Sequence, residues 1–104
     1  MLKFVEIDCF MLSIFRVQGQ SMEPYIKEGS FVLTRGFFPW ERPKKEEIVL
    51  ARDPRNGRTL LKRVNRQEGA NYWLEGDNKD ASTDSRTFGT ISSKNILGKV
   101  FLTV

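Results

Sequence analysis

The chain has 104 residues with 17 Lys and Arg, 13 Asp and Glu and no His, so its formal net charge is +4. This length fits one domain around one hydrophobic core. The lack of histidine excludes Ser-His-Asp and Cys-His catalysis and imidazole metal sites, and the single cysteine, Cys9, excludes an intrachain disulfide or a cysteine-rich zinc site. We therefore expect no metal or other cofactor, and lysine is the obvious base for any nucleophilic chemistry.

The start of the chain, residues 1–17, is fairly apolar, but Glu6 and Asp8 interrupt it. A signal peptide needs a basic segment before an apolar stretch of about 7–15 residues, and a spanning helix needs about 20 apolar residues. Neither pattern is present. We therefore expect a soluble cytoplasmic protein without a membrane anchor, for which peripheral contact with a membrane stays open.

Short apolar runs bounded by turn residues predict a mostly β protein. The predicted strands lie near Leu12–Gln18, Ser30–Arg35, Glu47–Arg52, Thr59–Asn65, Tyr72–Glu75 and Leu97–Thr103. Single helical turns are predicted at Ser21–Lys27, with Ser21 as a potential N-cap, and at Ser92–Ile96. We expect one domain over residues 1–104, of sandwich or barrel type with few short helical turns.

A loop with two prolines, Gly36–Lys45, separates two of the predicted strands. Its Phe37, Phe38 and Trp40 are unusual for a solvated loop. They either cover a groove or contact a partner, or they pack under the loop as a small satellite core. The pattern favours neither alternative.

A serine lies between a strand end and a turn limited by proline in Gly19-Gln20-Ser21-Met22-Glu23-Pro24. Such a turn presents a hydroxyl beside free backbone N–H groups, which can bind an oxyanion. By pattern alone, a serine in this position is more often a helix cap than a nucleophile.

A lysine lies inside an apolar strand at Leu60–Val64, where alternation places Leu60, Lys62 and Val64 on one face. If that face is buried, desolvation lowers the pKa of the lysine, and a neutral lysine can act as a general base. Lysine is more often found on a solvent face, which is the simpler reading of this segment alone.

Turn formers, hydroxyls, carboxylates and an arginine are concentrated in Gly76-Asp77-Asn78-Lys79-Asp80-Ala81-Ser82-Thr83-Asp84-Ser85-Arg86. Asp and Asn favour Asx turns, and an Asp paired with Arg86 would stiffen the loop. The spacing and the final Glu of a calcium loop are absent.

Taken in order, these segments resemble the conserved boxes of type I signal peptidases. The matching boxes are Ser21–Pro24, Glu46–Leu50, Lys62–Val64 and Gly76–Arg86. The resemblance covers nearly the whole chain from Val17 onward, and the last box is long and specific. It implies a fold of coiled antiparallel sheets, like the catalytic core of signal peptidases and LexA-like proteins.

The resemblance also implies a serine endopeptidase with a Ser/Lys dyad. Ser21 would be the nucleophile and Lys62 the general base, and Ser82 would orient Lys62. Asp84 and Arg86 match an ion pair that braces the site. The remaining matched residues line the substrate or the oxyanion: Gly19, Gln20, Met22, Pro24, Gly76, Asp77 and Asn78.

Three features depart from the family pattern. Signal peptidases usually carry membrane anchors before the serine, whereas only 20 residues precede Ser21 here. Gly19 stands where some members have a hydroxyl residue, and Glu47 stands where many have Asp. The second difference leaves the oxyanion donors open.

A narrower resemblance lies in Val49–Pro54 and Trp73–Gly89, which look like the nickel-type superoxide dismutase maturation proteases. Those short relatives of signal peptidases are thought to remove an N-terminal propeptide. The implied partner is then a precursor protein or peptide.

Other functions stay open. One is a signal peptidase catalytic domain that acts on secretory signal peptides, with Met11–Phe15 and the aromatic loop against a membrane. Another is a β module that binds single-stranded nucleic acid or protein, although the resemblance predicts no nucleic-acid partner. LexA-like repressors carry a DNA-binding domain for which 20 residues leave no room, and the intact boxes argue against an inactive relative.

Overall fold

The structure, a computed structural model, describes residues 2–9 and 12–104, with side chains from residue 12 onward. The strands in this part of the chain are β1 (Leu2–Cys9), β2 (Leu12–Val17), β3 (Phe31–Arg35), β4 (Ile48–Arg52), β5 (Thr59–Glu68), β6 (Asn71–Glu75), β7 (Ile91–Ser92) and β8 (Ile96–Thr103). The helical segments are α1 (Ser85–Phe88) and 3-10 turns at Lys79–Ala81 and Ser93–Asn95.

The strands form one sheet in the order β1-β2-β3-β8-β4-β5-β6-β7, and the paired neighbours are antiparallel. The last strand, β8, lies between β3 and β4, so the end of the chain joins its two halves. This architecture confirms the predicted fold class of a mostly antiparallel β protein with few short helical turns.

The six predicted strands are all present, and β5 continues to Glu68, beyond its predicted end. The 3-10 turn at Ser93–Asn95 confirms the second predicted helical turn, and Ser92 caps it by accepting the N–H of Lys94 at 3.3 Å. Turns occupy the predicted Ser21–Lys27 segment, where Ile26 donates its N–H to the carbonyl of Met22 at 2.9 Å. No helix continues from them, and Pro24 contributes to this outcome because it lacks the N–H that helix propagation requires.

Two groups of buried side chains lie on the sheet. The first, beneath the turn that carries Ser21, contains Val17, Met22, Ile26, Val32, Ile48, Leu50 and Leu61. The second, around β4–β7, contains Val49, Ala51, Val64, Tyr72, Leu74, Ile91 and Ile96. Because β4 and β5 contribute residues to both groups, these central strands are buried on both faces.

The aromatic loop between β3 and β4 combines the two predicted alternatives. Phe37 packs against the second core group, whereas Phe38 is 42% exposed and Trp40 is 78% exposed. The rings of Phe38 and Trp40 stack with their centroids 5.0 Å apart.

Met11 belongs to the Met11–Phe15 segment proposed for membrane contact, and it lies outside the described residues. Among residues 2–9 and 12–104, no helix has the length and apolar character required to cross a bilayer.

Candidate active site

Lys62 lies in the middle of β5 with only 3% of its surface exposed. It pairs across the sheet with Val49 of β4, which is fully buried in the second core group. Burial lowers the pKa of Lys62 from its usual 10.5 to about 8, although Asp84 and Asp53 act in the opposite direction. A substantial fraction of this amine is therefore neutral at mildly alkaline pH.

A chain of hydrogen bonds orients the lysine. Lys62 Nζ donates to Ser82 Oγ at 3.1 Å, and Ser82 Oγ donates to Asp84 Oδ2 at 2.7 Å. Because the Ser82 proton is committed to Asp84, the Ser82 oxygen presents a lone pair to the amine. The loop that follows β6 thereby fixes the position of a side chain on β5.

Asp84 is fully buried and accepts several hydrogen bonds. Its carboxylate receives the N–H of Gly76 at 2.9 Å, and Arg86 contacts it with Nε at 2.9 Å and Nη2 at 3.2 Å. Burial acts to raise the pKa of Asp84, but the hydrogen bonds from Arg86, Gly76 and Ser82 outweigh it and lower the pKa to about 2. Asp84 is therefore a fixed negative charge beneath the site across the physiological range.

Gly76 lies between the backbone of Ser21 and the hydroxyl of Ser82. A Cβ atom built at Gly76 would be 2.2 Å from Ser82 Oγ and 2.7 Å from the carbonyl oxygen of Ser21. The same carbonyl accepts the N–H of Asn78 at 2.8 Å. The turn that carries Ser21 is thus held against the loop that positions Lys62.

The other residues of the Ser21 turn have distinct environments. Gly19, with φ at 89°, donates its N–H to the Glu28 carboxylate at 2.9 Å, and the carbonyl of Gln20 accepts the N–H of Glu23 at 3.1 Å. Met22 is 1% exposed and belongs to the first core group, so it anchors the turn from below. Pro24 is exposed.

Asp77 does not reach Lys62 and instead pairs with Arg63, the next residue on β5. Arg63 donates to both carboxylate oxygens at 2.9 and 2.8 Å and to the carbonyl of Glu46 at 2.8 Å. Its guanidinium also lies 4.9 Å from the ring centre of Tyr25, which follows Ser21 in the turn. Arg63 therefore connects three segments around the site.

Two further buried polar residues were not singled out from the sequence. Ser85 is 1% exposed and accepts the N–H of Leu74 at 2.9 Å, which fixes the loop to β6. Asp53 is 3% exposed, pairs with Arg55 at 2.9 Å and contributes its charge to the environment of Lys62. Ser85 stood within the matched box Gly76–Arg86 and Asp53 within the narrower resemblance Val49–Pro54, but neither was given a role.

The site contains an amine, two hydroxyls and a permanently charged carboxylate. Among the residues that the structure describes, no three His, Cys, Asp or Glu side chains are grouped as metal ligands would be. The chemistry that these groups can perform is proton transfer between a lysine and a hydroxyl.

The close approach at Gly76 makes a specific prediction. A methyl group in Gly76→Ala must displace Ser82 or the Ser21 carbonyl, because it would lie 2.2 and 2.7 Å from them. The resemblance implies that Ser21 is the nucleophile. Since misplacement of a reacting group by about 1 Å costs about a hundredfold in rate, we expect acylation of Ser21 by a small activated ester to fall by about that factor.

The matched control for this variant is Asp80→Ala, an exposed residue of the same loop. Peptide mapping by mass spectrometry measures the adduct, and circular dichroism verifies the fold. Wild-type acylation in a folded Gly76→Ala variant would show that the close packing at Gly76 has no role in the site.

Comparisons with known proteins show which family the chain resembles. A family model described as Peptidase S24-like matches residues 8–101. Mitochondrial inner membrane protease subunit 1 of Homo sapiens and of Mus musculus is 32% identical over 111 aligned residues. Mitochondrial inner membrane protease subunit 2 of Schizosaccharomyces pombe is 29% identical over 119 residues.

These alignments cover 83% of the chain for the two subunit 1 proteins and 90% for the subunit 2 protein. They cover 65% of each relative, so the chain spans slightly less than two thirds of those proteins. The family match, in contrast, extends over nearly all of the sequence. The chain therefore belongs to the Peptidase S24-like family.

Proposed function

We propose that this chain is a serine endopeptidase of the signal peptidase type, with Ser21 as its nucleophile and Lys62 as its general base. The observation that carries the proposal is the burial of Lys62 beside Ser82, with its pKa lowered to about 8. A lysine in the core of a small protein is costly. A role as a base that is neutral near the working pH accounts for it.

In the proposed reaction, neutral Lys62 uses one N–H to hold Ser82 and offers its lone pair to the hydroxyl proton of Ser21. Ser21 Oγ attacks the peptide carbonyl while this proton moves to Lys62. The leaving amine then takes the proton from Lys62, and an acyl-enzyme remains. Water hydrolyses the ester by the same route, so the enzyme is regenerated without any histidine.

The oxyanion of the tetrahedral intermediate needs N–H donors near Ser21. In the part of the chain that the structure describes, the backbone N–H of Ser21 donates to no protein acceptor. This N–H is therefore free to stabilise an oxyanion. Gly19 has no side-chain hydroxyl that could act as a further donor.

Ser21 and Lys62 do not form a mutual hydrogen bond within the described residues, where Lys62 donates to Ser82. Catalytic hydrogen bonds are often long in free enzymes and shorten when substrate binds. The proposed mechanism therefore includes a small approach of Ser21 to Lys62 in the substrate complex.

We propose a precursor protein with an N-terminal pro- or signal peptide as the substrate. The finer hypothesis is the maturation of a nickel-type superoxide dismutase precursor. Its support is the resemblance of Val49–Pro54 and Trp73–Gly89 to proteases of that kind.

A second candidate is cleavage of signal peptides at a membrane surface. Its support is that two relatives are named as mitochondrial inner membrane proteases, which associates those proteins with a membrane. Cleavage of a signal-peptide substrate that requires lipid or detergent would support it, whereas cleavage of a soluble precursor without lipid would support propeptide maturation.

The proposed base predicts the pH dependence of the reaction. Only neutral Lys62 accepts a proton, and the neutral fraction grows as the pH rises through its pKa of about 8. We expect the rate of Ser21 acylation by a small activated ester to increase along that titration and to level off above it. An ordinary lysine would give a rise near pH 10.4.

The control for this profile is Ser21→Ala, in which the adduct should disappear from the peptide that contains residue 21. Surface lysines also react with the ester at high pH, so the adduct must be located by peptide mapping. An acylation rate that does not change around pH 8 would contradict the proposed dyad. So would an equal amount of adduct in the Ser21→Ala chain.

A further inference from the structure

An aromatic-basic groove of about 840 Å³ lies beside the loop between β3 and β4. Among the residues that line it are Phe38, Trp40, Arg42, Lys44, Lys45 and Val64. Arg42, Lys44 and Lys45 are exposed, and the side chains of Lys44 and Lys45 form no ion pair with the described residues. The groove therefore offers positive charge along an apolar wall.

The loop that forms this wall is held in a fixed shape. Arg35 donates to both carboxylate oxygens of Glu41 at 2.8 and 2.6 Å, and Lys99 of β8 pairs with Glu47 at 2.8 Å. Pro43 is buried beneath the loop. Trp40 is thus exposed on a loop whose shape is already fixed. A partner can therefore bind its ring with little loss of conformational entropy.

The charged side chains of the groove indicate which kind of partner it can bind. Glu41 is the carboxylate among the groove residues, and its charge is neutralised by Arg35. Arg66, also in the groove, shares its charge with Glu68. The unpaired charges of Lys44 and Lys45 remain, so the groove complements a segment that carries carboxylates between apolar side chains.

The groove and the proposed active site both include residues of β5. Val64 lines the groove and lies two residues beyond Lys62, or about 7 Å along the strand. A concave surface of this size fits several residues of an extended peptide. A chain bound at Ser21 and Lys62 would reach it within a few residues.

We infer that this aromatic-basic groove binds an acidic segment of the substrate that flanks the cleavage site. Trp40 and Phe38 contact the apolar side chains of the segment, and Lys44 and Lys45 contact its carboxylates. The assignment of the segment to the substrate rests on the proposed function, whereas binding to the groove does not.

Binding is measured first, by fluorescence anisotropy with a labelled peptide of alternating Glu and Leu. A matched peptide with Gln in place of Glu should bind more weakly, and added salt should reduce the difference. Lys44→Glu/Lys45→Glu should weaken binding of the Glu peptide about tenfold. The control, Arg52→Glu/Arg58→Glu, reverses two exposed charges at the opposite end of β4 and β5 and should leave binding unchanged.

Equal binding of the two peptides, or equal losses in the two double variants, would overturn the inference. Binding of phosphatidylglycerol vesicles or a short oligothymidylate that depends on Lys44 and Lys45, without peptide binding, would also overturn it in favour of another partner. Trp40→Ala tests the aromatic wall, and its expected loss is about threefold to tenfold.

The link to the substrate is tested with an activated ester joined to the Glu and Leu peptide. This extension should accelerate Ser21 acylation relative to the Gln version, and Lys44→Glu/Lys45→Glu should remove the acceleration without changing the rate of the small ester. Failure of the small ester to label Ser21 would count against the proposed dyad alone. The peptide-binding experiment would then still test whether the groove binds an acidic segment. Labelling by the small ester with no effect of the extension would count against the substrate link.

Discussion

Replacing Lys62 with methionine is expected to abolish acylation of Ser21 and at the same time to stabilise the fold at neutral pH. The loss of the proposed general base should reduce acylation by about a hundredfold to ten thousandfold. The gain in stability follows from burial, since methionine has a similar length and carries no charge into the core.

The sign of the stability change depends on pH. The pKa of Lys62 is about 8 in the folded chain against an ordinary 10.5, so the unfolded chain binds more protons between these values. The stability contributed by this group therefore rises with pH through that window, and the burial cost is greatest below pH 8. At pH 7 this cost is on the order of 3 kcal/mol. The hydrogen bond to Ser82 that the substitution removes is worth about 1 kcal/mol and offsets part of the gain.

We therefore expect Lys62→Met to raise the free energy of unfolding in urea by about 1–2 kcal/mol at pH 7 and by less at pH 10. The control is Lys99→Met, because Lys99 pairs with the same Val49 from β8. Lys99 forms an ion pair with Glu47 at 2.8 Å, so its removal should lower stability and leave acylation unchanged. A destabilised Lys62→Met variant at pH 7 would show that the lysine supports the fold.

The strands could be predicted because the local pattern of apolar runs and turn residues determines them. The apolar runs of β3 and β4 are short and end at turn residues, and both strands lie within two residues of their predicted positions. β1 was not predicted, since Glu6 and Asp8 were interpreted only as breaks in an apolar segment. β7 has two residues, too few for a period to be recognised.

The residues of the candidate site were named together from the sequence, but the contacts among them could not be predicted from it. Alternation placed Lys62 and Val64 on one face, yet nothing in β5 alone indicates whether that face is buried. Its burial depends on contacts from the distant loop, where Ser82 and Asp84 reach Lys62 from 20 residues away or more. Similarly, the pairing of Asp77 with Arg63 instead of the site lysine depends on how the loop leaves β6.

Removal of the buried carboxylate in Asp84→Ala is expected to cause the largest loss of stability. Asp84 is fully buried and accepts from Ser82, Gly76 and Arg86, so its loss removes an acceptor from the donors of three residues. Arg86 is 39% exposed and can be hydrated, whereas a buried donor left without its acceptor costs about 1–3 kcal/mol, so we expect a loss of about 2–4 kcal/mol. The control, Asp77→Ala, removes a carboxylate that is 22% exposed, and we expect about 1 kcal/mol there.

The same carboxylate predicts the response of the fold to acid. Its folded pKa of about 2 lies below the ordinary 3.8, so its contribution is present above pH 3.8 and is lost as the pH falls toward 2. Urea unfolding across this range should show stability falling in the wild type and more weakly in Asp84→Ala. Parallel acid profiles, or equal losses in Asp84→Ala and Asp77→Ala at pH 7, would mean that the hydrogen bonds around Asp84 do not stabilise the loop. In that case Ser82 would need another source of its fixed orientation toward Lys62.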